Sequence, residues 1–179
     1  AYTAIENAEF PLPPGETSVY QGRHPIGDLF TEEAIKLVGQ HLVKAVEAPS
    51  DLAAREGMSL AATLAGLSFS NVGVALVHAM EYPVGGAVHV SHGAGNGLLL
   101  PFVMRFNMPT RVSRFARIAA LLGENIAGLS EAAAAERAIT AVEKLKTAIG
   151  IPERLSNIGV RADQLEGFAA DKEVAGRQN

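Results

Sequence analysis

The stretch NVGVALVHAMEYPVGGAVHVSHGAGNGLLLPFVMRFN, residues 71–107, gathers three of the chain's five histidines among glycines and unbroken apolar runs. Val72 to Met80 reads as a buried helix of small and branched apolar residues with His78 near its C-terminal end, and Pro83, Gly85 and Gly86 are expected to break it. A second apolar helix is expected to begin at His92 and run to Asn107. Pro101 lies inside it and, by removing one backbone donor, predicts a kink. The two imidazoles, fourteen positions apart, then sit at the same end of two neighbouring helices. Such a placement aims two nitrogens at one metal ion.

Outward from this stretch the helical reading continues on both sides. Ser50 is a good N-cap for a segment from Asp51 to Phe69, where Ala53, Ala54, Gly57, Ala61, Ala62, Ala65 and Gly66 leave the helix surface thin enough for close packing. Before it, Asp28 can cap a helix whose apolar stripe is Phe30, Ala34, Leu37, Val38, Leu42 and Ala45. Its wet face is Glu32, Glu33, Lys36 and Lys44, and Pro49 ends it. Residues 1–27, with FPLPPGE and QGRHPIG, read as a short helical remnant followed by a long ordered loop, a length that hints at function.

Downstream, Thr110 to Leu122 is amphipathic and stops at Gly123. Ser130 caps an alanine-rich helix to about Ile149, with Ile139, Val142 and Leu145 inward and Glu136, Arg137, Glu143 and Lys146 outward. A last short helical pattern covers Ala162 to Ala170. With no strand pattern outside Gly86 to Val90, the expected fold is all-α: one domain, residues 1–179, built as a helical bundle of about six to seven helices.

A chain of 179 residues, 48% hydrophobic and 19% charged, is long enough for one sizeable core. A net charge of -4 argues against nucleic acid or an anionic membrane as the main partner and favours a small molecule or another protein. The absence of cysteine excludes disulfides, thiolate zinc sites and a cysteine nucleophile, so any metal must be held by histidine and carboxylate. The opening AYTAIENAEF has no signal-peptide character, and Leu60 to Val77, the longest membrane-span candidate, is interrupted by polar residues. A cytoplasmic setting is expected.

Taken alone, a histidine on an apolar helix such as His78 is more commonly a core residue than a metal ligand. His92 stands out because GAGNG follows it, letting backbone approach a ligand at a helix N-terminus. His89 is expected in a loop near the site, His41 in a solvated position, and His24 either structural or lining the site. Arg23 beside it is a candidate for a substrate carboxylate. GAGNG is not a dinucleotide fingerprint: its third glycine comes too early and no strand-helix-strand context surrounds it. Since catalytic metal sites use at least three protein ligands, further donors are needed. Asp28, Asp51, Glu6 and Glu56 are available carboxylates, with nothing in their spacing to single one out.

HAMEYPVGG followed by SHGAGNGLLLPFVMRFN resembles the signature of the iron-containing, or group III, alcohol dehydrogenases. SDLAAREGMSLAATLAGLSFSNVGVALVHAM resembles that family's preceding helical segment, and the likeness continues through GIPERLSNIGV. The family joins an N-terminal α/β domain that binds the nicotinamide cofactor to a C-terminal helical domain that supplies metal ligands, and this chain resembles the second. The resemblance implies Fe(II), or Zn(II), held by one aspartate and three histidines, the last two corresponding to His78 and His92. The other two belong to a DxxxHxxE segment expected before Ala1, as is the domain that mainly binds NAD or NADP.

Many members carry a further histidine where this chain has Tyr82. Tyr82 is therefore the candidate catalytic hydroxyl, and a histidine-based proton relay is not expected. Tyr82 and the loop FPLPPGETSVYQGRHPIGD look most like the hydroxyacid-oxoacid transhydrogenase branch. Gly93 and Asn96 are implied to meet the nicotinamide end of the cofactor.

The implied chemistry is hydride transfer between an alcohol or hydroxyacid and the nicotinamide, with the metal acting on the substrate oxygen. Two other expectations compete with it: a non-catalytic helical interaction module with structural histidines, and a domain of a zinc-dependent glycerol dehydrogenase-like enzyme. In each case exposed apolar surface implies a homo-oligomer or a partner domain.

Overall fold

A computed structural model of the chain describes residues 1–4 and 22–170. It holds seven α-helices: α1 (Pro25–Glu47), α2 (Leu52–Val72), α3 (Leu76–Val88), α4 (His92–Asn107), α5 (Val112–Leu121), α6 (Glu131–Ala148) and α7 (Leu165–Ala169). Short 3₁₀ turns at Met108–Thr110, Leu155–Ile158 and Ala162–Gln164 join or precede them. No strand forms among the described residues, so the expected all-α bundle is borne out. Most of the long N-terminal loop and the end of the tail lie outside the described residues.

Two antiparallel pairs make the frame. The short link between α1 and α2 turns the chain back on itself, and the two helices pack along their length, as α5 does on α6. His41 of α1 fills the space over Gly57 of α2: a Cβ at Gly57 would lie 2.3 Å from the imidazole Cδ2. His41 is thus half-buried packing rather than a solvated residue, and the small-residue face of α2 serves the close approach expected of it.

Several helix ends differ from expectation for local reasons. His24, not Asp28, caps α1, its Nδ1 accepting from the Gly27 N–H at 3.1 Å. Asp28 instead accepts from Arg23 and from Arg114 of α5, each at 2.9 Å, tying the start of α1 across the bundle. Asp51, not Ser50, caps α2 through a bond from the Ala54 N–H at 2.9 Å, because its carboxylate is also held by Lys44 at 2.7 Å.

The largest departure is in the opening stretch. The break falls at Gly73, whose φ of 92° ends α2, and not at Pro83. The chain bends by 105° there, and α3 then runs through Pro83, Gly85 and Gly86. Burial of Ala79, Glu81 and Val84 around the proline offsets the backbone bond it removes. His78 consequently lies in the first turn of α3 rather than near a C-terminal end, and residues 86–88 are helical where a strand was conceivable. Among the described residues no single helix is long and apolar enough to cross a membrane.

The main core gathers Met104 of α4, Phe115, Ile118 and Ala119 of α5, and Ala135, Ala138 and Ile139 of α6, with Tyr2 against them. Ser130 caps α6 as expected, accepting from the Ala133 N–H, and Gly123, at φ 88°, ends the α5 turn. Tyr2 donates to Glu32 at 2.5 Å, and Arg117 of α5 donates to the same carboxylate at 2.6 Å. Glu32 therefore belongs to a cross-helix pair rather than a wet face.

Arg117, first, and the Tyr2 hydroxyl hold the Glu32 carboxyl below its ordinary value of 4.5. A depressed carboxyl contributes stability that is present above the ordinary value and is lost as pH falls through the lowered one. Because both partners are partly exposed, the pair is worth at most about 1 kcal/mol. Arg117→Met is thus expected to cost that much at neutral pH and progressively less in acid, read from denaturant midpoints across a pH series. A cost that does not shrink in acid would contradict this account of Glu32.

Candidate metal centre

His78 is the third residue of α3 and His92 the first of α4, so both imidazoles hang from the first turns of helices that pack on each other. Their ring centroids are 5.3 Å apart with the planes tilted by 55°. The sequence separation of fourteen residues has therefore closed into one pair, as expected, although through first turns rather than a helix end and a helix start. Tyr82, one turn after His78, stacks its ring on His92 at 6.0 Å and 10°. It is half exposed, open to whatever occupies the mouth of the site.

Gly93 and Asn96 follow His92 on α4. Asn96 Nδ2 donates to the His92 carbonyl at 2.9 Å and lies over the imidazole, 3.2 Å from Nε2 and 3.3 Å from Nδ1. Asn96 Oδ1 is buried and has no hydrogen-bond partner among the described residues, leaving an acceptor beside the imidazole pair. Gly93 lines an apolar cleft of about 530 Å³ together with Leu76, Val77 and Gly97. Val77 and Gly93 are the chain neighbours of His78 and His92, whose own side chains do not line the cleft.

The other candidates lie elsewhere. His24 and Arg23 serve the α1 N-terminus and its ion pair with Asp28, and His89, the C-cap of α3 at φ 55°, sits in the loop expected of it. Asp51 caps α2, Glu56 is exposed on the same helix, and Glu6 falls outside the described residues.

The carboxylate that does reach the pair is one that spacing did not single out. Glu81 of α3 meets His92 Nδ1 through Oε2 at 2.5 Å with its side chain 3% exposed. One signal was available in the chain: Glu81 is the only Asp, Glu, Lys or Arg between Glu56 and Arg105. A lone charge in so long an apolar stretch must find a partner when buried.

Among the described residues no three His, Asp or Glu side chains converge as a complete metal cage. The pair nevertheless fits part of one. Neutral imidazoles suit iron or zinc, and a carboxylate on the far nitrogen is the usual support for a ligating histidine.

Residues 16–176 match the family described as "Fe-containing alcohol dehydrogenase family, C-terminal". The chain is 44% identical over 154 residues to the NAD-dependent methanol dehydrogenase of Bacillus methanolicus, covering 86% of this chain and 40% of that one. It is 42% identical over 146 residues to the 1,3-propanediol dehydrogenase of Klebsiella pneumoniae, covering 82% and 38%. Among solved structures, a 1,3-propanediol oxidoreductase superposes with a TM-score of 0.83 at 38% identity over 90% of this chain and 43% of that one. The alcohol dehydrogenase from Oenococcus oeni gives 0.84 at 31% identity over 99% and 43%. The chain thus spans about two fifths of the length of these relatives.

Proposed function

The chain belongs to the Fe-containing alcohol dehydrogenase family, and we propose that it is the metal-binding helical part of an NAD(P)-dependent enzyme that exchanges hydride between an alcohol and a nicotinamide. The observation that carries this is the imidazole pair, two nitrogen donors with ring centroids 5.3 Å apart and a buried carboxylate behind one of them. A divalent iron, or zinc, held there supplies a Lewis acid toward the substrate oxygen. Residues of this chain do the rest of what is assigned to it.

His78 and His92 would each give one ring nitrogen, and the remaining donors would come from outside the described residues. Tyr82, stacked on His92, places a hydroxyl-bearing ring at the mouth of the site, where it orients the substrate oxygen or passes its proton. Asn96 offers its open amide oxygen to a donor on the cofactor or substrate, and Gly93, with no side chain, leaves room for the nicotinamide edge. The apolar wall of Leu76, Val77, Gly93 and Gly97 suits the carbon chain of a small alcohol or hydroxyacid.

The nicotinamide cofactor's main binding surface is assigned to the part of the relatives' length that residues 1–179 do not span. Phe102 and Phe106, one turn apart on α4 and 58% and 64% exposed, support a partner domain or a second copy covering that face. A cytoplasmic setting is part of the same proposal.

The chain alone is expected to show no metal-dependent reduction of NAD or NADP by primary alcohols. Joined to the nucleotide-binding half of a relative, it is expected to show one that a chelator abolishes and added Fe(II) restores. Turnover by the chain alone, or none by the joined protein loaded with metal, would overturn the assignment.

A further inference from the structure

We propose that Glu81 is a positioning residue that holds His92 in the Nδ1–H tautomer, so that Nε2 carries the bare lone pair. The inference rests on the reading of His78 and His92 as metal ligands for its purpose, but its geometry stands apart from it. The carboxylate is almost wholly buried, and among the described residues His92 is its hydrogen-bond partner, at 2.5 Å from Oε2 to Nδ1. The space it occupies is made for it by two glycines. A Cβ at Gly85, one turn along α3, would lie 2.5 Å from Oε1, and a Cβ at Gly95 on α4 would lie 2.8 Å from both Cγ and Oε1. Glycine at both places costs helix stability, about 1 kcal/mol each relative to alanine, and here it admits the carboxylate between the helices.

Asn96 Nδ2 donates to the His92 carbonyl at 2.9 Å and lies over the ring, 3.2 Å from Nε2 and 3.3 Å from Nδ1, so it does not tell the two nitrogens apart and the Glu81 carboxylate is what selects the tautomer. With the proton on Nδ1, the ring N–H meets the Glu81 carboxylate. With the proton on Nε2, the Nδ1 lone pair would face the carboxylate. A free histidine in water favours the Nε2–H form, so the protein has inverted the ordinary preference. The inverted form presents Nε2 to a cation, and a carboxylate behind a ligating imidazole raises its basicity. A metal held at Nε2 would leave the Glu81 bond to Nδ1 intact.

The test reads the tautomer and the affinity separately, in the full chain, by long-range nitrogen–proton correlation of the His92 ring without metal and by titration with Co(II). The wild-type protein is expected to show Nδ1–H. Glu81→Ala is expected to revert His92 towards Nε2–H and weaken Co(II) binding about 10- to 100-fold. Glu81→Gln, which keeps an acceptor oxygen, should recover most of the tautomer and part of the affinity. Gly95→Ala, which crowds the carboxylate out without removing it, should reproduce the Glu81→Ala tautomer and so separates positioning from a folding defect.

An Nε2–H ring in the wild-type protein overturns the inference. So does Co(II) binding that is lost in His92→Ala but unchanged in Glu81→Ala, a result that leaves the metal-centre reading standing. An Nδ1–H ring that depends on Glu81 in a protein that takes no Co(II) upholds the inference and overturns the metal-centre reading instead.

Discussion

His92→Ala and His78→Ala are each expected to weaken binding of a divalent transition metal by at least about 100-fold, while leaving the helical fold in place. The magnitude follows from comparison: loss of a group that merely supports a ligand costs about 10- to 100-fold, so loss of the ligand itself lies at or beyond the upper end of that range. Stability should change little at His92, because its side chain is 56% exposed and fills no core volume. His78 is half-buried beside Leu76 and Ala79, and its removal is expected to cost somewhat more in denaturant midpoint. The two variants should be non-additive for the metal, since each alone dismantles a pair. Metal titration of both single variants and the double variant checks this. Full affinity in either single variant would remove that histidine from the ligand set.

Phe115→Ala is expected to destabilise the protein by about 3–5 kcal/mol, a large share of the stability of an ordinary domain. Phe115 is 1% exposed and is the largest of the fully buried side chains. It belongs to the cluster where α4, α5, α6 and Tyr2 meet, which also contains Met104, Ile118 and Ile139. Small alanines at 119, 135 and 138 surround the ring, and they cannot expand into the cavity its loss would leave. Because α4 carries His92 at one end and Met104 in this core, the substitution should also loosen the imidazole pair. Denaturant unfolding measures the first effect. A loss below about 1 kcal/mol would mean that the core closes around the gap or is not organised on this ring.

The sequence was most legible where caps and stop signals act locally. Ser130 and the alanine-rich run after it gave α6, Gly123 the end of α5, and the change of composition at His92 the start of α4. It was least legible where tertiary packing outweighs local preference. Pro83, Gly85 and Gly86 are breakers by propensity, yet they sit inside α3 because that helix buries Ala79, Glu81 and Val84 and needs a bare backbone at Gly85 to seat the carboxylate. The shift of the break to Gly73 is what moved His78 into a first turn.

The site followed the same division. The resemblance and the glycine-flanked histidines pointed to His78 and His92, and the structure brings them together. Asp28 and Asp51 were visible as carboxylates, but their work is capping and ion pairing, which spacing alone does not separate from ligation. Glu81 was hidden inside an apolar motif, and its meaning depends on α3 and α4 crossing at Gly95. The side chain of Tyr2 in the core likewise depends on contacts from residues far along the chain, Glu32 and Arg114.

The central claim is that His78 and His92 are ligands of one metal ion. X-ray absorption at the zinc edge of the full chain loaded with one equivalent of Zn(II) tests it most directly. The account predicts two imidazole shells with nitrogen at about 2.0–2.1 Å, reduced to one in either single variant and absent in the double variant. A spectrum without imidazole scattering, or one unchanged in the double variant, would contradict it.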